Sequence, residues 1–180
     1  MKPRPGQTIA VFGTGAVGLA AMMAGRISGC TRVIAVDIVP SRLELAKELG
    51  AAAAINSKEE DPVEKIKELT DGYGVDYTVD TTGLPAVMKQ GIDSQGGNEA
   101  AIAVTPHNIE FSTWNDLCTS DRKVVGINMG MQFPKSMFQD CLNSISLACL
   151  IMKRLRGSMT LKILVLPMVI QYQARLSSLF

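Results

Sequence analysis

The sequence predicts an α/β protein built on a doubly wound parallel sheet of six strands. Short apolar runs alternate with longer amphipathic stretches from Gly6 onward, which is the pattern of parallel strands joined by crossover helices. A glycine-rich turn follows the first apolar run, and an aspartate ends the second. With 180 residues, of which 47% are hydrophobic, the chain is long enough to bury one full core.

The first half of the sheet is predicted from three apolar runs and the residues that separate them. Strands are expected at 8–12, 31–36 and 53–56. Gly29 ends a helix that begins at residue 16, and Gly50 ends a helix that begins at Pro40, because a residue without a β-carbon suits the left-handed position after a helix. A third helix is expected at 61–70, where apolar residues share one face.

The second half is predicted to continue the alternation with strands at 74–80, 99–104 and 123–127. A helix is expected from residue 85 to about residue 90. Right-handed crossovers between six such strands place a ligand crevice at the carboxyl ends of the first and fourth strands.

Composition excludes several classes of function. A formal net charge of +1 gives the chain no excess that would draw it to nucleic acid. The cysteines at 30, 118, 141 and 149 form no CxxC pair and His107 is the single histidine, so the sequence indicates neither a disulfide framework nor a zinc site. The first residues lead directly into a strand without an apolar signal region, so we expect a cytoplasmic protein.

The turn after the first strand carries the pattern GxGxxG. Its residues are Gly13, Thr14, Gly15, Ala16, Val17 and Gly18. Gly13 permits a tight turn, Gly15 lets the backbone approach a pyrophosphate, and Gly18 lets the helix lie close to the strand. The helix that follows offers free N–H groups and the positive end of its dipole. The alternative is a set of turn glycines without a ligand, but the position between a strand and a helix favours a dinucleotide site.

Asp37 ends the second strand, nineteen residues after Gly18. A carboxylate at this place accepts both ribose hydroxyls of a dinucleotide and repels a 2′-phosphate. The sequence therefore predicts that NAD is preferred over NADP.

Four segments carry a family resemblance: AVFGTGAVGLAAMM, VIAVDIVPSRLELAKELGA, GVDYTVDTTG and DRKVVGINMG. Together they resemble the coenzyme-binding Rossmann domain of medium-chain, zinc-type alcohol dehydrogenases, particularly the aryl-alcohol type, from about Gly6 to about Phe138. The resemblance implies NAD as cofactor and oxidation of primary or aryl alcohols to aldehydes. In this family the catalytic zinc, its ligands and the proton relay belong to another domain, so we assign no catalytic or metal-binding residue here and expect an inactive fragment.

The resemblance also implies cofactor contacts outside the three glycines. The backbone amides of Thr14, Ala16 and Val17 would hold the pyrophosphate, and Val17 would also flank the nicotinamide. Asp37 and Arg42 would bind the adenosine ribose. The residues that would line the nicotinamide end are Thr81, Thr82, Thr105, Ile127 and Met129.

Three local expectations complete this part of the chain. The segment GIDSQGGNEA is shorter than in the family, which predicts a local adjustment before the fifth strand. His107 is expected in a loop without a catalytic role. Trp114 and Cys118 are expected to be packing residues in a helix-like segment rather than ligands.

The last forty residues have a different charge balance. Residues 1–140 hold 13 Lys and Arg against 17 Asp and Glu, whereas residues 141–180 hold five basic residues and none that is acidic. We therefore divide the chain into a dinucleotide-binding domain at 1–140 and a tail at 141–180. The tail is open to three interpretations: a membrane-surface helix, a terminus that packs on the sheet, and a reading-frame shift near residues 138–141. We favour the reading-frame shift, because synonymous codons can be chosen for the tail that, when read in a shifted frame, encode acidic residues with helical periodicity.

Two functions stay open at this point. The first is the coenzyme-binding part of an NAD-dependent alcohol dehydrogenase, and the second is a free-standing dinucleotide-binding module without catalysis. The family resemblance also implies a homodimer that pairs through the edge of the sheet at KVVGINMG. No nucleic acid partner is expected, and a membrane is not favoured.

Overall fold

The structure, a computed structural model, describes residues 3–103, 105–118 and 121–127. The strands are β1 (Thr8–Phe12), β2 (Arg32–Asp37), β3 (Ala53–Asn56), β4 (Val75–Asp80), β5 (Gln95–Ile102) and β6 (Arg122–Gly126). The α-helices are α1 (Ala16–Ile27), α2 (Pro40–Glu48), α3 (Pro62–Leu69) and α4 (Pro85–Asp93). The predicted domain boundary at residue 140, the tail at 141–180 and Met129 lie outside the described residues.

The strands pair in parallel in the order β3-β2-β1-β4-β5-β6. This order confirms the predicted doubly wound sheet. The chain reverses direction across the sheet between β1 and β4, where Phe12 lies opposite both Val36 of β2 and Asp80 of β4. Because these strands end at the same level, the loops that follow them share one carboxyl edge, which is where open α/β sheets bind ligands.

The core has two layers, one on each face of the sheet. Alternate residues of β1 point to opposite faces, so Val11 packs with α1 and α2 while Phe12 packs with α3. Both side chains are fully buried, and each such burial contributes about 1.5–3 kcal/mol. This packing fixes the end of β1, and with it the start of the glycine turn.

The pairing of β4 with β5 contains the largest difference from the sequence prediction. The partner of Val75 is Gln95, but the partner of Tyr77 is Glu99, so the register shifts between them. As a result β5 begins at Gln95, four residues before the predicted start, and Asn98 has a φ of 68°. The local adjustment expected for the shortened segment is therefore a bulge in β5.

Two basic side chains join neighbouring elements. Arg26 Nη1 at the end of α1 donates hydrogen bonds to the carbonyl oxygens of Leu49 and Gly50, at 3.2 and 2.9 Å, just after α2. Lys89 of α4 forms ion pairs with Asp93 and with Asp116, which lies in the loop before β6.

The loop before β6 contains a short π-helical turn, Thr113–Leu117. The helix-like character predicted for this segment is thus confirmed. The packing role predicted for Trp114 in this turn and for Cys118 directly after it is wrong, because Trp114 is 70% exposed and Cys118 is exposed. Within the described ranges, no helix is long and apolar enough to cross a membrane.

Candidate functional site

The two outer glycines of the GxGxxG turn are enclosed by backbone and side chains. Gly13 has a φ of +87°, a conformation that side chains rarely adopt. A β-carbon on Gly18 would lie 1.8 Å from the carbonyl oxygen of Gly13, and one on Gly13 would lie 2.7 Å from Thr81 Oγ1. Glycine at these two positions is therefore required by the fold itself.

Gly15, the central glycine, has a different environment. Its φ of −69° is accessible to any residue, and a β-carbon added there would meet no atom within 4 Å. Gly15 is also the N-cap of α1, and no side chain caps the helix. Because the first amides of a helix have no acceptor within the helix, α1 begins with free donors beside an open space.

Asp37 at the end of β2 lies against this turn. Its Oδ2 accepts hydrogen bonds from Thr14 N at 2.6 Å and Thr14 Oγ1 at 2.7 Å. Its Oδ1 accepts from Ile38 N at 2.7 Å and Val39 N at 3.0 Å. Burial on its own raises the pKa of the Asp37 carboxyl, but these four hydrogen bonds outweigh burial and hold its pKa below the ordinary value. The carboxylate is therefore ionised at neutral pH.

The Thr14 amide already has a hydrogen-bond acceptor within the protein. The family resemblance assigns it to the pyrophosphate, together with the amides of Ala16 and Val17. In the structure it donates to Asp37 instead. Ala16 and Val17 form the first turn of α1, and the Val17 side chain is 62% exposed.

Arg42, which the family resemblance assigns to the adenosine ribose together with Asp37, lies beside the same carboxylate. Its Nη1 is 3.9 Å from Asp37 Oδ2, and its side chain is 55% exposed. Because the Arg42 side chain is exposed and its Nη1 is beyond hydrogen-bond distance, the guanidinium is free to reorient.

The loop after β4 contacts the glycine turn from the other side. Thr81 Oγ1 donates to the carbonyl oxygens of Phe12 and Gly13, at 3.1 and 3.0 Å. The hydroxyl of Thr81 thus stabilises the turn.

Asp80 holds the same loop and was missed by the sequence analysis. Its Oδ1 accepts from the amide and the hydroxyl of Thr82, at 3.0 and 2.7 Å, and its Oδ2 accepts from Gly83 N at 3.0 Å. The signal was present in the sequence, because Asp80 ends an apolar strand in the same way as Asp37 does.

The remaining predicted residues follow β5 and β6. Thr105 Oγ1 accepts a hydrogen bond from His107 N at 3.2 Å, and His107 is an exposed loop residue, as predicted. Ile127 N donates to the carbonyl oxygen of Ile102 at 3.2 Å, and the Ile127 residue is 44% exposed. Among the residues that the structure describes, no group of three or more His, Cys, Asp or Glu side chains could hold a metal ion.

Known proteins share this fold. The model of the family described as zinc-binding dehydrogenase matches residues 16–146. Alcohol dehydrogenase 1 of Zea mays is 39% identical over 140 residues, which are 75% of this chain and 37% of the maize protein. The chain spans between 23% and 47% of the length of the curated relatives compared.

Two solved structures extend the comparison. An alcohol dehydrogenase zinc-binding domain protein from Burkholderia ambifaria is 51% identical with a TM-score of 0.65, covering 69% of this chain and 34% of its own. Benzyl alcohol dehydrogenase from Acinetobacter calcoaceticus is 39% identical with a TM-score of 0.75, covering 81% of this chain and 41% of its own. The chain therefore belongs to the zinc-binding dehydrogenase family, in which it corresponds to the dinucleotide-binding, Rossmann-type part.

Proposed function

We propose that this chain binds NAD(H) as the coenzyme part of a zinc-type alcohol dehydrogenase that acts on primary or aryl alcohols. The observation that carries the proposal is the open space at Gly15, at the uncapped start of α1 and next in sequence to Thr14, which contacts the buried carboxylate of Asp37. A diphosphate fits the first feature and a ribose diol fits the second.

Each group of predicted residues is assigned to one part of the cofactor. The amides of Ala16 and Val17 hold the pyrophosphate, and Asp37 with Arg42 binds the adenosine ribose. The nicotinamide end is lined by Thr81, Thr82, Thr105 and Ile127; the resemblance also assigns Met129 to it, a residue outside the described ranges. These residues would hold NAD, which would supply the hydride acceptor for oxidation of an alcohol and, as NADH, the hydride donor for reduction of an aldehyde.

The substrate class rests on comparison. One solved relative, 39% identical to this chain, is named benzyl alcohol dehydrogenase, and the resemblance to the aryl-alcohol type supports the same substrate class. The zinc belongs to the complete family enzyme, and the 180 residues alone do not oxidise alcohols. The protein is cytoplasmic. Two copies pair through β6, which is one of the two edge strands of the described sheet.

The central glycine provides the test of dinucleotide binding. Gly15→Ala adds one β-carbon to the open space, so we expect NADH affinity, measured by titration of nicotinamide fluorescence, to fall at least about tenfold, or about 1.4 kcal/mol. Thermal stability is expected to change by less than about 1 kcal/mol, because the φ of Gly15 suits alanine but alanine is a poorer N-cap than glycine.

Gly91→Ala is the matched control for this substitution. Gly91 lies in α4, and its added β-carbon would make ordinary contacts at 3.7 and 3.8 Å with Thr78 and Phe12. NADH affinity should be unchanged in this variant. A folded Gly15→Ala protein that binds NADH as the wild type does would refute the proposed site.

The alternative function, a free-standing binding module, also predicts no turnover by this chain, so the neighbouring gene sequence separates the two functions and a turnover assay tests the shared lack of activity. We expect no NADH when benzyl alcohol, NAD and zinc are added to the 180-residue chain, although the chain binds NADH. Alcohol-dependent NADH formation above a protein-free control would contradict the proposed lack of activity in this chain. The module itself would be favoured if no zinc domain were encoded beside this sequence in the gene.

A further inference from the structure

Thr14 has a role that the GxGxxG pattern does not require. The pattern leaves this position open to any residue, yet Thr14 is 1% exposed and contacts Asp37 through two groups. Its amide and its hydroxyl both donate to the same oxygen, Asp37 Oδ2, at 2.6 and 2.7 Å. A residue buried in the phosphate turn is thus hydrogen-bonded to the carboxylate that faces the ribose.

These two hydrogen bonds restrict the rotation of the carboxylate. The other oxygen, Oδ1, is held by the amides of Ile38 and Val39. Three of the four donors are backbone amides, whose presence does not depend on residue type. The Thr14 hydroxyl is the single side-chain donor among them, so it is the one that a substitution can remove.

Arg42 is the charged group beside Asp37, and it competes for the same oxygen. Its Nη1 lies 3.9 Å from Oδ2, beyond hydrogen-bond distance, and its exposed side chain can move closer. Uncharged donors face the carboxylate from the glycine turn and from the start of α2. Asn56, the residue of β3 that pairs with Asp37, is uncharged as well. Loss of the Thr14 hydroxyl leaves the Thr14 amide as the one uncharged donor to Oδ2, so this oxygen is less restrained from turning towards Arg42.

We propose that Thr14 is a positioning residue that sets the preference for a free 2′-hydroxyl over a 2′-phosphate, by holding the Asp37 carboxylate in one orientation. The inference rests on the proposed function, since it concerns how the same site reads the ribose. A carboxylate fixed away from Arg42 keeps its charge directed at the sugar and repels a 2′-phosphate. A carboxylate paired with Arg42 is partly neutralised, and the repulsion weakens.

The test compares three variants of the 180-residue chain. Thr14→Val and Thr14→Ala lack the hydroxyl, and Thr14→Ser keeps it. Affinities for NADH and for NADPH are measured separately by nicotinamide fluorescence. We expect Thr14→Val and Thr14→Ala to bind NADH about tenfold more weakly, because a hydrogen bond to a charged group is lost. The ratio of NADH to NADPH affinity should fall about fivefold to tenfold in both, and Thr14→Ser should stay within about twofold of the wild type.

Melting temperatures measured over a range of pH without ligand separate the loss of the hydrogen bond from a loss of packing. Because the pKa of folded Asp37 is lowered, its stabilisation is present above the unfolded pKa and is lost as the pH falls through the folded pKa. Thr14→Val removes part of that stabilisation. Its deficit in melting temperature should therefore be full at pH 7 and shrink as the pH falls below about 4. A loss of packing alone would give the same deficit at every pH.

The outcomes distinguish this inference from the function on which it rests. A wild-type chain that is folded but binds neither dinucleotide overturns the proposed function, and the inference with it. A wild-type chain that prefers NADH, with hydroxyl-free variants of unchanged preference, overturns the inference alone. Thr14→Ala is included because its smaller side chain keeps the test valid if Thr14→Val does not fold.

Discussion

Helices α1 and α3 begin in opposite ways. At the start of α3, Asp61 Oδ1 accepts hydrogen bonds from Val63 N at 2.7 Å and Glu64 N at 3.4 Å, and Glu64 adds a negative charge to the first turn. At the start of α1, Gly15 provides no side chain, and the first turn contains no acidic residue. One helix therefore satisfies its first amides from its own sequence, whereas the other leaves them open.

This difference indicates where the sequence favours binding over local stability. An Asp or Ser at an N-cap stabilises a helix by about 1 kcal/mol relative to alanine. Helix α1 does without this term and is held by packing instead, since Leu19 and Met22 are buried against the sheet. The free amides of α1 then become available to an anion, which replaces the missing side-chain acceptor.

The largest expected loss of NADH affinity comes from giving α1 a capping aspartate like that of α3. Gly15→Asp introduces a capping carboxylate at a position whose φ of −69° nearly equals that of Asp61, −71°. We expect NADH affinity to fall by about 4 kcal/mol, roughly a thousandfold, because two negative charges would lie about 4 Å apart in a site of intermediate dielectric. Calorimetric titration measures the affinity, and thermal unfolding should show stability unchanged or slightly raised.

Gly15→Asn separates charge from size in this experiment. Asparagine caps a helix about as well as aspartate but carries no charge. Its affinity for NADH should lie between that of Gly15→Asp and that of the wild type. Equal affinities in the two variants would show that volume, and not the helix-end electrostatics contrasted here, determines the loss.

The smaller effect comes from the opposite exchange. Asp61→Ala removes the cap of α3, so we expect a loss of about 1 kcal/mol in the free energy of unfolding and no change in NADH affinity. For a chain of this size the loss corresponds to a melting temperature lower by about 2–4 °C. Asp61→Asn, which keeps an acceptor oxygen, should retain most of the stability. A loss of NADH binding in a folded Asp61→Ala protein would contradict the separation of the two helix ends.

The fold was predictable where local signals coincide. Strands β1 and β3 have the predicted bounds, because glycines and helix starts delimit short apolar runs on both sides. The start of β5 was not predictable, since it depends on pairing with Val75 across the sheet. The same segment buries Gln95, whose amide nitrogen and oxygen have no hydrogen-bond partner among the described residues. A buried unpaired amide is an unfavourable choice that no local pattern anticipates.

The site divides in the same manner. The motif predicted the glycine turn and the position of Asp37, because both depend on the order of strand, turn and helix. It did not predict the contacts of Thr14 with Asp37 or of Thr81 with Gly13, which join residues 23 and 68 positions apart in the sequence. The frame shift near residues 138–141 stays a prediction, and the match to the family model ends nearby, at residue 146.

The contact between Arg26 and the end of α2 has a mechanical consequence. Its guanidinium bridges the far ends of the two helices whose opposite ends adjoin the phosphate turn and the ribose carboxylate. These hydrogen bonds restrict the tilt of α1 relative to α2. Under the proposed function, the sugar and diphosphate groups of NAD would meet a preorganised surface, and little ordering entropy would be lost on binding.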